Sequence, residues 1–278
     1  MTVSPTSTLS VQTLIHALRL PESCRVDQRV PKKLLLENGA PTAADKRLIT
    51  EAIEEIQWVA ALKPNTIGVP DYRDTLREYL EIAVLAVTVR GVVKPASHSR
   101  LAELVHRAVP YPVLLLLIKG QSLTLSLAHK RWAQNEADKV VLDGRLISVR
   151  VSASLSEVNA ADSSHPDPAA AAQAENAFIQ SLSVTRQPQA TLHALYQGWV
   201  DCVQALLAAR LTGSYQTPTT PEQAAARRQA LADCERLETE VSRLRAQAAK
   251  EKQIARQVEL NLTLKRVQAE LATARQQL

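Results

Sequence analysis

A chain of 278 residues, 46% hydrophobic but only 3% aromatic, can bury a core of ordinary domain size, built from aliphatic side chains rather than rings. Its 33 Lys/Arg against 28 Asp/Glu give a net charge of +5, a mild and well-mixed balance that permits contact with nucleic acid without requiring it. Seven glycines and three scattered cysteines, Cys24, Cys202 and Cys234, argue against glycine-rich phosphate loops, a disulfide framework and a zinc ribbon.

Unpaired cysteines suit a reducing compartment. The first twelve residues lack the basic stretch and long apolar run of an export signal. The longest apolar run, residues 113–118, is far too short for a membrane span. The expected location is the cytoplasm.

In chain order, residues 8–20 place Val11, Leu14, Ile15 and Leu18 at helical spacing, and Pro21 ends the segment. Residues 31–37 carry a short apolar cluster beside a basic pair. Residues 42–62 read as one helix, capped by Thr42, with Asp45 in its first turn and Ile49, Ile53, Ile56 and Val59 along one stripe. Strands are predicted at 66–70 and 79–90, the second apolar on both faces and therefore central. A helix at 98–108 precedes a buried strand at 113–118. An alternating strand at 122–128 follows. Segments 139–142 and 146–151 flank Asp143-Gly144, a hairpin signal. Residues 1–152 thus predict an α+β domain with a mostly antiparallel sheet packed with helices.

Residues 153–175 turn to Ser, Asp, Pro and Ala and read as a linker. Residues 176–211 form a helical segment, strongest at 190–211. Residues 222–278 contain neither Gly nor Pro. There Leu237, Val241, Leu244 and Ala248 alternate spacings of four and three, as do Leu260, Leu264, Val267 and Leu271. That alternation predicts a long C-terminal coiled-coil helix whose stripe meets a second copy or a partner. The stripe is interrupted at 250–257, where the register shifts. A helix packed on its own domain is the competing reading.

Recognisable catalytic patterns are missing: no Walker loop, G-x-S-x-G or H-E-x-x-H occurs. A restriction-type nuclease needs an acid followed by acid-x-Lys to hold magnesium. Asp71, Glu78, Glu81 and Lys119 are the nearest residues, and none forms that triplet. The six histidines read as packing or surface groups. His129-Lys130-Arg131-Trp132 combines cations with an aromatic at a strand end, which suits phosphate contact and base stacking. The plainer alternative is a solvated strand terminus. No cofactor and no metal ligand set is predicted.

The order of several short motifs carries a resemblance. Asp45-Lys46 opens a segment reaching Trp58. Leu62-Lys63-Pro64-Asn65-Thr66-Ile67, Tyr79-x-Glu81-Ile82, Pro110-Tyr111-Pro112 and Ala128-x-Lys130-Arg131 follow. Lys250-Glu251-Lys252-Gln253 and Gln257-Val258-Glu259-Leu260-Asn261 close the series. The chain resembles a bacterial family known only as a domain of unknown function. Ile254-Ala255 stands where members tend to have an aromatic and an Asn. The resemblance implies a setting beside helicase, DNA-methyltransferase and restriction-like phage-defence genes, and it supplies no catalytic residue.

The function expected is a non-catalytic interaction subunit of an antiphage or restriction-modification-like system, docking a helicase or methyltransferase. The alternative is a DNA-binding accessory module; a hidden metal-dependent nuclease comes third. Contact is assigned to Lys130, Arg131, Trp132, Lys250, Lys252, Gln253 and Arg256, with Lys130 and Arg131 exposed. Oligomer or partner docking is assigned to Leu237, Val241, Leu244, Leu260, Leu264, Val267 and Leu271.

Overall fold

A computed structural model describes residues 11–91, 94–134, 136, 139–152 and 168–278. The linker expectation over 153–167 lies outside these residues. The chain divides into two compact units, Met1–Ala161 with Glu175–Val203, and Asp162–Ala174 with Gln204–Leu278. No helix among the described residues is long and apolar enough to cross a membrane.

The first unit is built on a six-stranded sheet ordered β1-β2-β5-β6-β7-β8, from β1 (Arg25–Arg29), β2 (Ile53–Leu62), β5 (Ile82–Val89), β6 (Val113–Lys119), β7 (Ser122–Trp132) and β8 (Val140–Ser152). Every neighbouring pair is antiparallel except β5 and β6. That parallel pair is joined through helix α5 (Pro95–Ala108), as a parallel connection demands a crossover. A two-stranded hairpin, β3 (Tyr72–Arg73) with β4 (Glu78–Tyr79), stands apart from the main sheet. The mixed architecture with a largely antiparallel sheet agrees with the fold class expected.

Helices α2 (Lys32–Asn38), α3 (Ala43–Ala52) and α5 share one core with the sheet. Ile49, Leu101, Leu104 and Val105 of the helices meet Ile53, Ile56, Leu85, Val87, Leu115 and Leu117 of the strands there. Two devices fix the helices. Arg100 donates from Nε and Nη2 to the two carboxylate oxygens of Asp45, each at 2.9 Å, tying α5 to α3. Gly39, at the end of α2, lies so close to α5 that a Cβ there would stand 2.5 Å from the Leu104 carbonyl oxygen.

Four local expectations are corrected. The predicted helix over 42–62 ends at Ala52, and residues 53–62 are strand β2. Ile49, Ile53 and Ile56 fit a helical stripe, but Ile53–Leu62 is rich in branched and aromatic residues and pairs along its length with β5. The strand expected at 66–70 is in part the single turn α4 (Pro64–Ile67), closed by Gly68 at φ 72. Asp143-Gly144 is no hairpin turn. β8 runs through it, with Gly144 at φ 82 inside an irregularity of the β7–β8 register. Residues 168–175, expected as linker, belong to α6 (Pro168–Ser181).

The C-terminal stretch is two helices rather than one. α8 (Pro221–Lys250) and α9 (Ile254–Gln276) form an antiparallel hairpin. Arg275 pairs with Glu238 at 2.9 Å, and the Gln257 amide donates to the Ala248 carbonyl at the other end. The reversal uses neither Gly nor Pro. The Glu251 carboxylate accepts the backbone N–H groups of Lys252 and Gln253, at 2.8 and 3.0 Å. It thereby supplies an acceptor where the chain leaves helical geometry.

Candidate functional site

The structure divides the candidate residues between the two units. In the first, β7 ends in Lys130, Arg131 and Trp132. Lys130 was expected on the surface, yet it is only 3% exposed. Its ammonium donates to the backbone carbonyls of His106, at 2.6 Å, and of Val109. These carbonyls lie at the C-terminus of α5, where unpaired acceptors and the helix dipole favour a cation. Burial pushes the Lys130 pKa down to about 7. No carboxylate among the described residues lies at ion-pair distance from it. Its third N–H has no partner there either.

Arg131 is partly exposed. It donates to the Trp132 carbonyl at 3.1 Å and lies 3.6 Å from Asp143. Trp132 is half-buried and its backbone N–H reaches the Leu76 carbonyl at 2.7 Å. Two cavities open on either side of Lys130. The larger, about 990 Å³, lies between α5 and the first part of β8 and carries Arg100, Arg107, Lys139 and Arg145 along its walls. The smaller, about 190 Å³, is walled by Pro110, Tyr111, Arg131 and Trp132. Lys130 and Val140 line both.

Behind this region stands a ring cluster that sequence patterns did not reveal. His129 lies between Tyr79 and Gln197, with Nδ1 2.5 Å from the Tyr79 hydroxyl and Nε2 2.9 Å from Gln197 Oε1. The Gln197 amide nitrogen is committed to Asp201 at 2.8 Å, so its oxygen accepts from His129 Nε2–H and leaves Nδ1 to accept from Tyr79. His193 stacks on Tyr72 and meets Tyr79 edge-on. Arg77 joins Asp143 at 2.8 Å and His193 at 3.4 Å. Burial, then His193 and Arg77, hold the His129 pKa down at about 4. His106, fully buried beside Ser126, is held at about 3 by burial and then by Lys130. Both imidazoles are neutral at pH 7, and their partners are those of a packed scaffold.

Of the acidic residues considered for metal chemistry, Asp71 is exposed and Glu78 pairs with Arg73 at 3.0 Å. Glu81 is buried, with one oxygen 3.0 Å from the Lys63 ammonium and the other unpartnered. No group of three or more His, Cys, Asp or Glu among the described residues is placed to hold a metal ion.

In the second unit, Leu237, Val241 and Leu244 of α8 are buried against Val267 and Leu271 of α9, with Leu260 and Leu264 partly buried at the same seam. These side chains, expected to meet a partner, are covered within the chain. Lys250, Lys252, Gln253 and Arg256 are exposed around the reversal, and Arg256 lies 3.7 Å from Glu251. The feature that the heptad reading passed over is a second apolar face. Ile254, Val258 and Leu262 are 78%, 52% and 63% exposed. At 3.6 residues per turn they span only about 80° of the helix and point roughly 160° away from the seam. The signal was in the sequence as a spacing of four repeated twice.

One family model matches the chain, and like the resemblance drawn from the motifs it is a domain of unknown function. The family model described as Domain of unknown function (DUF4391) matches residues 18–271. No curated protein and no solved structure matches the chain. With nearly its full length spanned by that model, from Leu18 in the first unit to Leu271 in the helical hairpin, the chain belongs to the DUF4391 family.

Proposed function

We propose that the chain is a non-catalytic interaction subunit that docks a larger protein through the outer face of its C-terminal hairpin. The observation that supports this is the exposed Ile254–Val258–Leu262 stripe on a helix whose opposite side is already buried. Large apolar side chains clustered on one exposed helical face mark an interaction site. The reversal and the first half of α9 are basic: Lys250, Lys252, Arg256, Lys265 and Arg266 stand in this stretch against Glu251 and Glu259. Charge complementarity selects a partner helix or groove with an apolar centre and an acidic rim. Such a helix joins α8 and α9 in coiled-coil fashion. In the setting that the family resemblance implies, the partner is the helicase or DNA methyltransferase of an antiphage or restriction-modification-like system.

The test is co-expression of the full chain with the helicase and methyltransferase encoded beside it, read by light scattering after size exclusion. Wild type runs as a complex. The triple variant Ile254→Asp, Val258→Asp, Leu262→Asp loses the partner while keeping its own helical circular dichroism, because none of the three side chains is buried. An unchanged complex overturns the reading. A wild-type chain that doubles its mass without any partner assigns the face to self-association instead.

A further inference from the structure

The two cavities beside Lys130 carry an inference independent of the hairpin. Arg107 and Arg145 are exposed on opposite walls of the larger groove, and Lys139, paired with Glu136 at 2.7 Å, extends the line. Five cations line it against two carboxylates, Glu37 and Glu103. Arg100 and Arg107 share Glu103, and Arg100 also holds Asp45. On its floor Lys130 presents a buried ammonium with two N–H groups bound to carbonyls and the third unpartnered. Held by carbonyl oxygens alone, this ammonium gains from an anion that reaches it. The groove therefore selects a ligand with repeated negative charge.

The smaller recess narrows the class. Tyr111, 37% exposed, and the half-buried Trp132 line it, with Arg131 beside them. Its volume of about 190 Å³ admits a planar ring, and Lys130 stands at the junction with the groove. An acidic peptide would satisfy the groove and leave the recess without a role. A nucleic-acid strand satisfies both, because its phosphates repeat and each base has a face that stacks on aromatic rings. A duplex keeps its bases stacked inside, out of reach of a recessed pocket.

We propose that these two cavities form a binding site for single-stranded nucleic acid, with phosphates along the Arg107–Arg145 groove past Lys130 and one unstacked base in the Tyr111–Trp132 recess. Fluorescence anisotropy on the full chain tests this, using labelled oligothymidylate, oligouridylate, a duplex of equal length and oligoglutamate. One of the single strands binds more tightly than the duplex, and preference for either sugar supports the site. Tyr111→Ala weakens that binding about five-fold or more, the loss of one stacking contact, and leaves its salt dependence unchanged. Arg107→Ala with Arg145→Ala weakens it and lowers the slope of log affinity against log salt by about 1.4. All three side chains are exposed, so folding of these variants is not at issue, whereas Lys130→Met is a supporting variant only. The proposal is overturned if neither strand binds at low salt, if the duplex binds as tightly, or if Tyr111→Ala binds like wild type. Oligoglutamate bound in preference to both strands also overturns it and assigns the groove to an acidic peptide.

Discussion

His106 and His129 make the first unit sensitive to acid. Both imidazoles are held below the ordinary value of 6.5, at about 3 and about 4. Between pH 6.5 and 4 the unfolded chain therefore binds protons that the folded chain refuses, and stability falls as pH falls through that window. Urea unfolding followed at pH 7 and pH 5 reads the effect. His129→Gln, which removes one of the two groups, makes the loss smaller; an equal loss in wild type and variant would assign it elsewhere. Lys130 is the second test at this scale. Lys130→Met leaves the His106 and Val109 carbonyls without their donor and costs about 1–3 kcal/mol of folding stability. A variant as stable as wild type would mean that the cation is not the cap of α5. None of this was legible from the local pattern at β7. An alternating strand end predicts a solvated lysine, and the acceptors that bury Lys130 lie 24 and 21 residues away. Arg131 fared better, because a strand terminus does leave it partly exposed.

At the level of elements, the long periodic or strongly apolar segments were legible: α5, β6 and the helix α7 (Leu192–Thr212) stand where spacing put them. Short apolar runs were not. Ile49, Ile53 and Ile56, spaced by four and three, fit the helical period, and only pairing with β5 decides that residues from Ile53 onward are strand. The reversal after Lys250 was hidden because its turn is made by the Glu251 side chain rather than by Gly or Pro. Two substitutions check the packing. Gly39→Ala forces α2 away from the Leu104 carbonyl and the Ala108 Cβ and costs about 1–3 kcal/mol, read as a lower urea midpoint; an unchanged midpoint would show that α2 can yield freely. In the hairpin, Leu244→Ala removes a seam residue and costs about 2–4 kcal/mol. Val258→Ala, on the outer face, stays within about 0.5 kcal/mol of wild type. Equal losses for the two would mean that the outer stripe is buried after all.

For the whole molecule, the family match spans both units, and the two proposals give the units separate roles. In these proposals the hairpin tip is the site for a protein partner, and the α5–β8 groove is the site for a nucleic-acid strand. The heptad reading found the seam but took it for the docking face, since periodicity cannot say whether the partner is another chain or the next helix. Hydrogen–deuterium exchange of the full chain, free and in complex with its co-expressed partner, tests the docking claim most directly. The account predicts that slowing on complex formation is strongest over residues 251–265 and weak over the seam residues 267–274, which are already buried. Slowing confined to the sheet or to the outer face of α8, with residues 251–265 exchanging as in the free chain, would contradict it.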